Sequence, residues 1–366
     1  MKIKDIAAVM EKLAPGRLAE ENDSIGLQVG DSEADVRTLL VALDPSLGAL
    51  NEAAEQDAQL VVSHHPLIFR PLTSLTGRTP AERRAVEFVR KGVALFAAHT
   101  NLDCAPGGIN DSLARLLGIT DIQPLSLART ALRKVVVFVP EDDLDAVAAA
   151  ICAAGAGRMG AYSDCTFRVR GIGTFTPLEG AEPHIGQPGK LEHVDEVRLE
   201  SIVSEENVAG VLAAISKSHP YEEPAFDVYP VQNKRREAGL GRWGVLPCPM
   251  TAGDFISEVA GKLDARGIRY VGDASRRVSR VAVCGGAGGD LYAEAVRRDC
   301  QVYVTGDVKY HAFLDACEEG LIVVDAGHAE TELPGVIELH RRLRAELPDV
   351  EVLLSSSSKG GAVSGI

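Results

Sequence analysis

The chain has 366 residues, 46% of them hydrophobic and 25% charged, which is typical of a folded globular protein and excludes a wholly disordered or fibrous one. At about 150 residues per domain, this length predicts two or three domains. The 38 basic and 52 acidic residues give a net charge of −14, which argues against nucleic acid as a partner because such binding depends on neutralising phosphates with Lys and Arg.

The sequence predicts no membrane span and no secretion signal. Ile3, Ile6, Met10 and Leu13 have helical spacing and are interrupted by charged residues, unlike the apolar region of a signal peptide. The longest run of apolar and small residues, 146–157, is shorter than the roughly 18 residues that a span needs. The seven cysteines form no CxxC pair, which favours a reduced, cytoplasmic protein. We therefore expect no membrane partner.

Short runs that are apolar on both faces recur near both ends of the chain and are typical of buried strands in a parallel sheet. They are residues 39–43, 60–62, 93–98, 281–283, 302–304 and 321–324. Amphipathic helices are predicted between many of them, at 47–58, 81–91 and 291–298. Thr79 and Pro80 stand at the cap and first turn of the second of these helices. This alternation predicts an α/β layered fold.

The middle of the chain has a different order of predicted elements. A strand is followed by a helix, two strands, a helix and a strand, at residues 134–140, 144–154, 165–170, 196–203, 208–216 and 225–229. This is the ferredoxin-like order. The segment 176–191 is rich in Gly and Pro and is predicted to be a loop. We therefore predict a ferredoxin-like α+β domain, residues 128–233, inserted into an α/β domain that is split into 1–127 and 234–366.

Five of the nine histidines follow predicted buried strands. They lie in the segments Ser63-His64-His65-Pro66, His99 to Asp103, Thr305 to His311, and Asp325 to Glu332. In open α/β sheets, ligands bind at the carboxyl ends of the strands. Each of these residues taken alone has an ordinary structural explanation, as a solvated histidine or as a turn-forming aspartate. Together, four strand ends that carry His or Asp predict a metal site, since imidazole and carboxylate suit Zn, Mn, Fe or Co.

The spacing of these ligands leaves their arrangement open. His64 and His65 would point to opposite sides of an extended backbone, so they could contact two neighbouring ions, or a turn could redirect one of them. His328 and Glu332 could meet if the chain between them forms a turn, and Pro334 predicts that the following helix starts near that residue.

A carboxylate can join two ions, and Asp103 is a candidate for this role. Five ligands are too many for one tetrahedral site with an open position, and they suit two ions that share a carboxylate.

A glycine-rich turn, Cys284 to Asp290, follows a predicted strand and precedes a predicted helix. It could hold an anion on its backbone N–H groups, or it could be a tight strand-to-helix connection. It matches neither the dinucleotide-binding nor the P-loop pattern. The turn therefore does not identify a nucleotide site.

Seven segments together resemble the NIF-three-like family over nearly the whole chain. They are SHHPLIF from Ser63, HTNLD from His99, TGDVKYH from Thr305, DAGHAETE from Asp325, GLQVG from Gly26, GAGRMGAYSDC from Gly155 and HPYEEP from His219. One departure is visible. The family usually has Trp-Asp-Asn before the first Gly-Leu motif, and this chain has Asn22-Asp23-Ser24.

The resemblance implies a dinuclear metal centre and an assembly. Its ligands would be His64, His65, Asp103, His328 and Glu332, holding two divalent ions of Zn, Fe, Mn, Co or Ni. Members of the family form toroidal homohexamers, and the longer ones carry a PII/CutA-like insert, which agrees with the ferredoxin-like order above. Members are often described as GTP cyclohydrolase I type 2 homologues.

Other residues of the matching motifs are expected to orient ligands or move protons. Asp307, Tyr310 and His311 are candidates for orienting the ligands. His99 and Glu332 are candidates for proton transfer. These features predict a metal-dependent hydrolase of a nucleotide or related small molecule, such as GTP or a phosphoester. The alternatives are a metal-binding or metal-delivery protein, and a regulatory interaction protein, both without turnover.

Overall fold

The structure is a computed structural model that describes residues 1–129, 132–232 and 234–356. The chain divides into two compact units. The first unit combines residues 1–128 with those from 235 onward, and the second consists of residues 129–234. The architecture is mixed α/β with three sheets.

The elements that precede the second unit are α1 (Ile3–Leu13), β1 (Gly26–Val29), β2 (Thr38–Ala42), α2 (Leu47–Glu55), β3 (Leu60–Ser63), α3 (Pro80–Lys91), β4 (Ala94–Ala97), α4 (Thr100–Cys104), α5 (Ile109–Leu116) and β5 (Thr120–Arg129). Those of the second unit are β6 (Leu132–Pro140), α6 (Leu144–Ala153), β7 (Thr166–Phe175), β8 (Glu192–Ser204), α7 (Val208–Ser218) and β9 (Phe226–Pro230). Those that follow are β10 (Lys234–Thr251), α8 (Ala252–Leu263), β11 (Arg269–Val271), β12 (Arg277–Val283), α9 (Tyr292–Arg297), β13 (Val302–Thr305), α10 (Tyr310–Glu318), β14 (Ile322–Asp325), α11 (His328–Glu346) and β15 (Glu351–Leu354).

The six predicted buried strands are present, but they belong to two sheets and not to one. A five-stranded sheet has the order β1-β4-β3-β2-β15, in which all neighbours except β1 and β4 are parallel. A six-stranded sheet has the order β11-β14-β13-β12-β10-β5, with β12, β13 and β14 parallel. An apolar run shows that a strand is buried on both faces, and it does not specify the sheet to which the strand belongs.

Helix α11 connects β14 of the six-stranded sheet with β15 of the five-stranded sheet. Its Val336, Leu339 and Leu343 are fully buried in the core beneath the five-stranded sheet. Gly335 lies so close to α5 that a Cβ there would stand 2.4 Å from the Cα of Ile109. The helix begins at His328 and contains Pro334 in its second turn, so the predicted start near Pro334 was wrong. The proline costs one backbone hydrogen bond, and the buried residues that follow it hold the helix in place.

The second unit contains one four-stranded sheet with the order β7-β8-β6-β9, in which every neighbouring pair is antiparallel. Helices α6 and α7 pack on one face of this sheet. The contact is a core of aliphatic side chains that includes Val137, Leu199, Ile151 and Ile215. In the part of the chain that the structure describes, no helix is long and apolar enough to cross a membrane.

Candidate metal centre

The predicted ligands come from two strand ends of one sheet and one strand end of the other, all in the first unit. His64 and His65 follow β3, Asp103 lies in α4 after β4, and His328 and Glu332 lie in the first two turns of α11 after β14. The parallel strands end at the same edge of each sheet, which brings these loops together. The structure places all five side chains in one cluster.

A turn after β3 lets the adjacent histidines converge. The hydroxyl of Ser63 donates to the carbonyl of His65 at 2.7 Å, and the two imidazole rings lie 5.0 Å apart. Nδ1 of His64 lies 2.9 Å from the carbonyl oxygen of Ala98, and Nδ1 of His65 lies 2.7 Å from Oδ1 of Asp44. These contacts hold both rings with Nε2 directed into the cluster, which is the usual arrangement behind metal-binding histidines.

Glu332 occupies the centre of the cluster. Its carboxylate oxygens lie 3.5 Å from Nε2 of His64, 3.1 Å from Nε2 of His65 and 3.3 Å from Nε2 of His328. Because α11 already starts at His328, the two ligands from this helix are one turn apart on the same face. Nδ1 of His328 in turn lies 2.8 Å from Oδ2 of Asp307, one of the residues predicted to orient the ligands.

Asp103 lies at the edge of the cluster. Its Oδ1 is 3.7 Å from Nε2 of His64, which is the one imidazole that it approaches within ion-pair distance in the described ranges. The carboxylate between several imidazoles is therefore Glu332. That Asp103 joins two ions stays a prediction.

His99 belongs to the cluster and is held by an aspartate. Its ring lies 5.4 Å from that of His64 and 5.8 Å from that of His65, and its Nδ1 lies 2.8 Å from Oδ1 of Asp23. The other oxygen of Asp23 accepts from the backbone N–H of Thr100 at 3.1 Å. Asp23 therefore fixes the ring and the loop that carries it.

Two groups of potential ligands overlap in this region. Ligand atoms of His64, His65 and His99 lie within 4.8 Å of one another, and so do those of His65, His328 and Glu332. His65 is common to both groups. Such overlapping sets are what two neighbouring ions would need.

Two residues with a role at this site were missed in the sequence. Asp44 orients His65, and it follows β2, so the strand-end rule that singled out the histidines applies to it equally. Asp23 lies in the segment that departs from the family pattern. Its aspartate matches the middle residue of that pattern and makes the contacts with His99.

Tyr310 and His311 do not approach the cluster. Both stand at the start of α10, where Tyr310 is 74% exposed and His311 is also exposed. Their rings contact each other at 5.4 Å. Within the described part of the chain, neither contacts a predicted ligand, so the structure gives no support for an orienting role.

The glycine-rich turn is a tight strand-to-helix connection beside the site, and not an anion site. The N–H groups of Gly285, Gly286 and Gly288 donate to side chains of the same unit, so they are not free for an anion. Gly286 has φ 65°, and a Cβ on it would stand 2.2 Å from Oε1 of Glu332. The absent side chain thus makes room for the central carboxylate.

The charges of the cluster shift the pKa values of its members. Burial lowers the pKa of His65, but hydrogen bonds to Asp44 and Glu332 raise it overall to about 10. The hydrogen bond to Glu332 raises the pKa of His328 to about 9. Burial raises the pKa of Asp103 to about 6. Burial also opposes ionisation of Glu332, but the surrounding imidazoles hold its pKa well below the usual range. Without a metal ion, His65 and His328 therefore carry protons, and these positive charges take the place that a metal cation would occupy beside the carboxylates.

Buried polar atoms of the cluster suit a metal ion. Nε2 of His64, Oδ1 of Asp103 and Oε2 of Glu332 are buried, and their polar neighbours within the described ranges are other members of the cluster, at 3.1–3.7 Å. Imidazole nitrogens and carboxylate oxygens that face each other in this way are good ligands for a divalent transition metal. Three imidazoles and two carboxylates match the donor set that Zn, Fe, Mn, Co or Ni accepts.

Known proteins resemble this chain over its whole length. A profile of the family described as Duf34/NIF3 (NGG1p interacting factor 3) matches residues 1–360. A protein of Halalkalibacterium halodurans named GTP cyclohydrolase 1 type 2 homolog is 42% identical over 355 residues, 96% of this chain and 95% of its own length. A protein of Bacillus subtilis with the same name is 44% identical over 326 residues, 89% of this chain and 87% of its own. The crystal structure of a Bacillus cereus protein related to NIF3 superposes with a TM-score of 0.74 at 39% identity and covers 97% of both chains.

Proposed function

Since this chain belongs to the Duf34/NIF3 family, we propose that it binds two divalent metal ions and is a metal-dependent hydrolase of a nucleotide or related small molecule. The observation that carries this proposal is the convergence of three imidazoles and two carboxylates in one cluster, where their Nε2 and carboxylate oxygen atoms face each other at 3.1–3.7 Å.

The two overlapping ligand groups support a count of two ions. We assign His64, His65, Asp103, His328 and Glu332 as ligands, with His65 and Glu332 nearest the centre. Bound divalent ions would polarise a carbonyl, imine or phosphoryl oxygen of the substrate and make water more acidic.

The chain's own residues supply orientation and proton transfer. Asp44 and Asp307 accept from Nδ1 of His65 and His328, so each ring keeps Nε2 free for a ligand bond. His99 is held by Asp23 beside the cluster and is the candidate for moving a proton to or from substrate. This arrangement suits hydrolysis, in which a proton must leave the attacking water and reach the leaving group.

The substrate class and the assembly rest on the family relationship. The relatives named GTP cyclohydrolase 1 type 2 homolog suggest a purine nucleotide that is opened at the base, with a phosphoester as the other candidate. We also propose a homohexamer, and we propose that the second unit, predicted from the sequence as residues 128–233, is of the ferredoxin-like, PII/CutA-like type. The all-antiparallel order β7-β8-β6-β9 supports that type, because it is the order a split βαβ unit produces.

The test begins with elemental analysis of the protein purified without added metal. About two ions per chain, lost in a His64→Ala/His328→Ala variant that still folds, would support the metal centre. The metal found would then be used to assay nucleotides and phosphoesters with the native protein, the double variant and Asp103→Ala. Full turnover by metal-free Asp103→Ala would contradict the proposal.

A metal-delivery protein without turnover is the second candidate. It is favoured by the partial exposure of His328, whose side chain is 35% accessible and so gives a chelator a route to the site. Exchange of metal with a chelator within seconds, together with no turnover of any substrate tested, would select this alternative. Slow exchange with turnover would select the hydrolase.

A further inference from the structure

The segment His219-Pro220-Tyr221-Glu222-Glu223-Pro224 contributes nothing to the metal centre, yet it lines a cleft of its own. The cleft lies entirely within the second unit and has a volume of about 870 Å³. Its walls are Tyr221 to Glu223 on one side and the loop of residues 177–185 on the other. A volume of several hundred Å³ is typical of a site for a small organic molecule.

The floor of the cleft is formed by two glycines of β7. Gly171 lies directly opposite Glu196 of β8, and Gly173 is two residues along the same strand, so both glycines and Glu196 belong to one face of the sheet. A Cβ on Gly171 would meet no atom within 4 Å, and a Cβ on Gly173 would stand 2.1 Å from Oε2 of Glu196. The missing side chains leave bare backbone, over which the Glu196 carboxylate lies.

The wall beside the floor is fixed by hydrogen bonds. His219 is buried, and its Nε2 lies 2.9 Å from the carbonyl oxygen of Phe138 while its Nδ1 accepts from the N–H of Tyr221 at 3.0 Å. The N–H of Glu182 donates to Oε2 of Glu222 at 3.1 Å, which ties the two walls together. The cleft is therefore a built feature of the unit and not a gap beside a loose loop.

The charges that line the cleft are unbalanced. Its two arginines pair with acidic residues outside it: Arg170 pairs with Glu141, and Arg198 shares Glu200 with Lys134. Within the described ranges, the cleft residues Glu196, Glu222 and Glu223 have no Lys, Arg or His in ion-pair contact, and only Glu222 has an N–H donor. The cleft thus has an excess of negative charge that a cationic ligand would neutralise.

Aromatic rings and one buried hydroxyl complete the lining. The Tyr221 ring lies 5.9 Å from that of Phe175 and 6.2 Å from that of His184. Its hydroxyl is buried and lies beside the Glu196 carboxylate. Burial and the hydrogen bond to Glu196 raise the pKa of this phenol, so it stays neutral. Aromatic faces beside carboxylates are the surroundings that bind organic ammonium groups.

From these contacts we propose that the second unit binds a small organic cation: an apolar, preferably aromatic body that carries a protonated amine. The body packs on Phe175, Tyr221 and the bare backbone of β7. The amine lies at Glu196 with Tyr221 beside it. The proposal does not depend on the metal centre, because none of the residues that line the cleft is a metal ligand.

Three indole compounds of similar shape and different charge test the proposal on the full-length protein. Tryptamine is cationic, tryptophol neutral and indole-3-acetate anionic. We expect calorimetry at pH 7 to show tryptamine binding at least about tenfold more tightly than tryptophol, and indole-3-acetate more weakly than both. Equal binding of the three, a preference for the acetate, or no binding of tryptamine would overturn the proposal.

Two variants locate the binding in the cleft. Gly171→Val fills the floor, where a Cβ meets no atom within 4 Å, and valine suits a strand, so we expect it to abolish tryptamine binding while the protein stays folded. Glu196→Gln keeps the shape and removes the charge, so we expect a loss of about tenfold. The matched controls are Gly210→Ala and Glu206→Gln, at positions of the same unit that do not line the cleft. Unchanged binding in Gly171→Val would contradict the proposal.

Discussion

At the residue scale, the cluster is organised around one carboxylate. Glu332 lies within 3.5 Å of the Nε2 atoms of three imidazoles, and the glycine at 286 leaves the space it needs. Asp44 and Asp307 hold two of those imidazoles from behind. The side chain that approaches the three imidazoles most closely is therefore a buried glutamate, which the sequence presents as one of five ligands.

Replacing this carboxylate tests that view directly. Glu332→Gln keeps the volume and removes the charge, so we expect the metal content to fall from about two ions per chain to one or fewer. His311→Ala is the matched control, because it changes a histidine of a neighbouring motif that is exposed and lies outside the cluster. Elemental analysis of both variants distinguishes them. Full metal content in Glu332→Gln would show that the centre is organised differently.

The pKa values of the histidines predict a dependence on pH. In the metal-free site the pKa of His65 is about 10 and that of His328 about 9, so both rings carry protons at pH 7 and must lose them to become ligands. Metal affinity should therefore rise as pH rises from 7 to 9, by about tenfold per unit for each proton released. Calorimetry in two buffers of different ionisation enthalpy counts these protons. An affinity that is constant or falls over this range would contradict the assignment.

At the scale of elements, α11 determines how the two sheets of the first unit share one site. It begins with His328 and Glu332, passes over α5 at Gly335, and leads to β15, which pairs with β2 of the other sheet. The close approach at Gly335 holds the first turns of this helix against α5. A change in the position of α11 would therefore move His328 and Glu332 as well.

A pair of glycine variants measures this coupling. Gly335→Ala would place a Cβ 2.4 Å from the Cα of Ile109, so we expect a loss of about 1–3 kcal/mol in the free energy of unfolding and weaker metal binding. Gly261→Ala in α8 is the matched control. A Cβ there meets nothing within 4 Å, so it should stabilise by up to about 1 kcal/mol. Chemical denaturation gives both values, and equal effects of the two changes would argue against close packing at Gly335.

At the scale of the whole molecule, the chain enters the second unit from β5 and returns through β10. These two strands are neighbours in the six-stranded sheet, so the ends of the first unit lie close together where the second unit is connected. All five proposed ligands belong to the first unit. The candidate metal centre is therefore formed by residues of the first unit.

Removing the second unit is the corresponding experiment. A chain in which residue 128 is joined to residue 235 by a short Gly-Ser linker should keep about two ions per chain, since β5 and β10 remain paired. Elemental analysis and the oligomeric state by light scattering are the measurements. If metal and assembly are lost together, the second unit has a structural role in the first.

The sequence by itself predicted much of this protein, for physical reasons. Apolar runs located the buried strands because burial on both faces requires such residues, and a cap and proline located the start of α3. The order of elements predicted an inserted unit of residues 128–233, and the structure has a compact unit of residues 129–234. Histidine and aspartate after strands indicated the site, because the carboxyl ends of parallel strands lie along one edge.

Only the tertiary structure decided how these pieces combine. It distributed the strands over two sheets, since strand pairing depends on distant partners and not on local pattern. It started α11 at His328 despite Pro334, because packing of the helix outweighs one missing hydrogen bond. It placed Glu332 at the centre and brought Asp23 and Asp44 to the histidines. Contacts between residues far apart in the chain depend on where the backbone folds back, and composition and spacing do not contain that information.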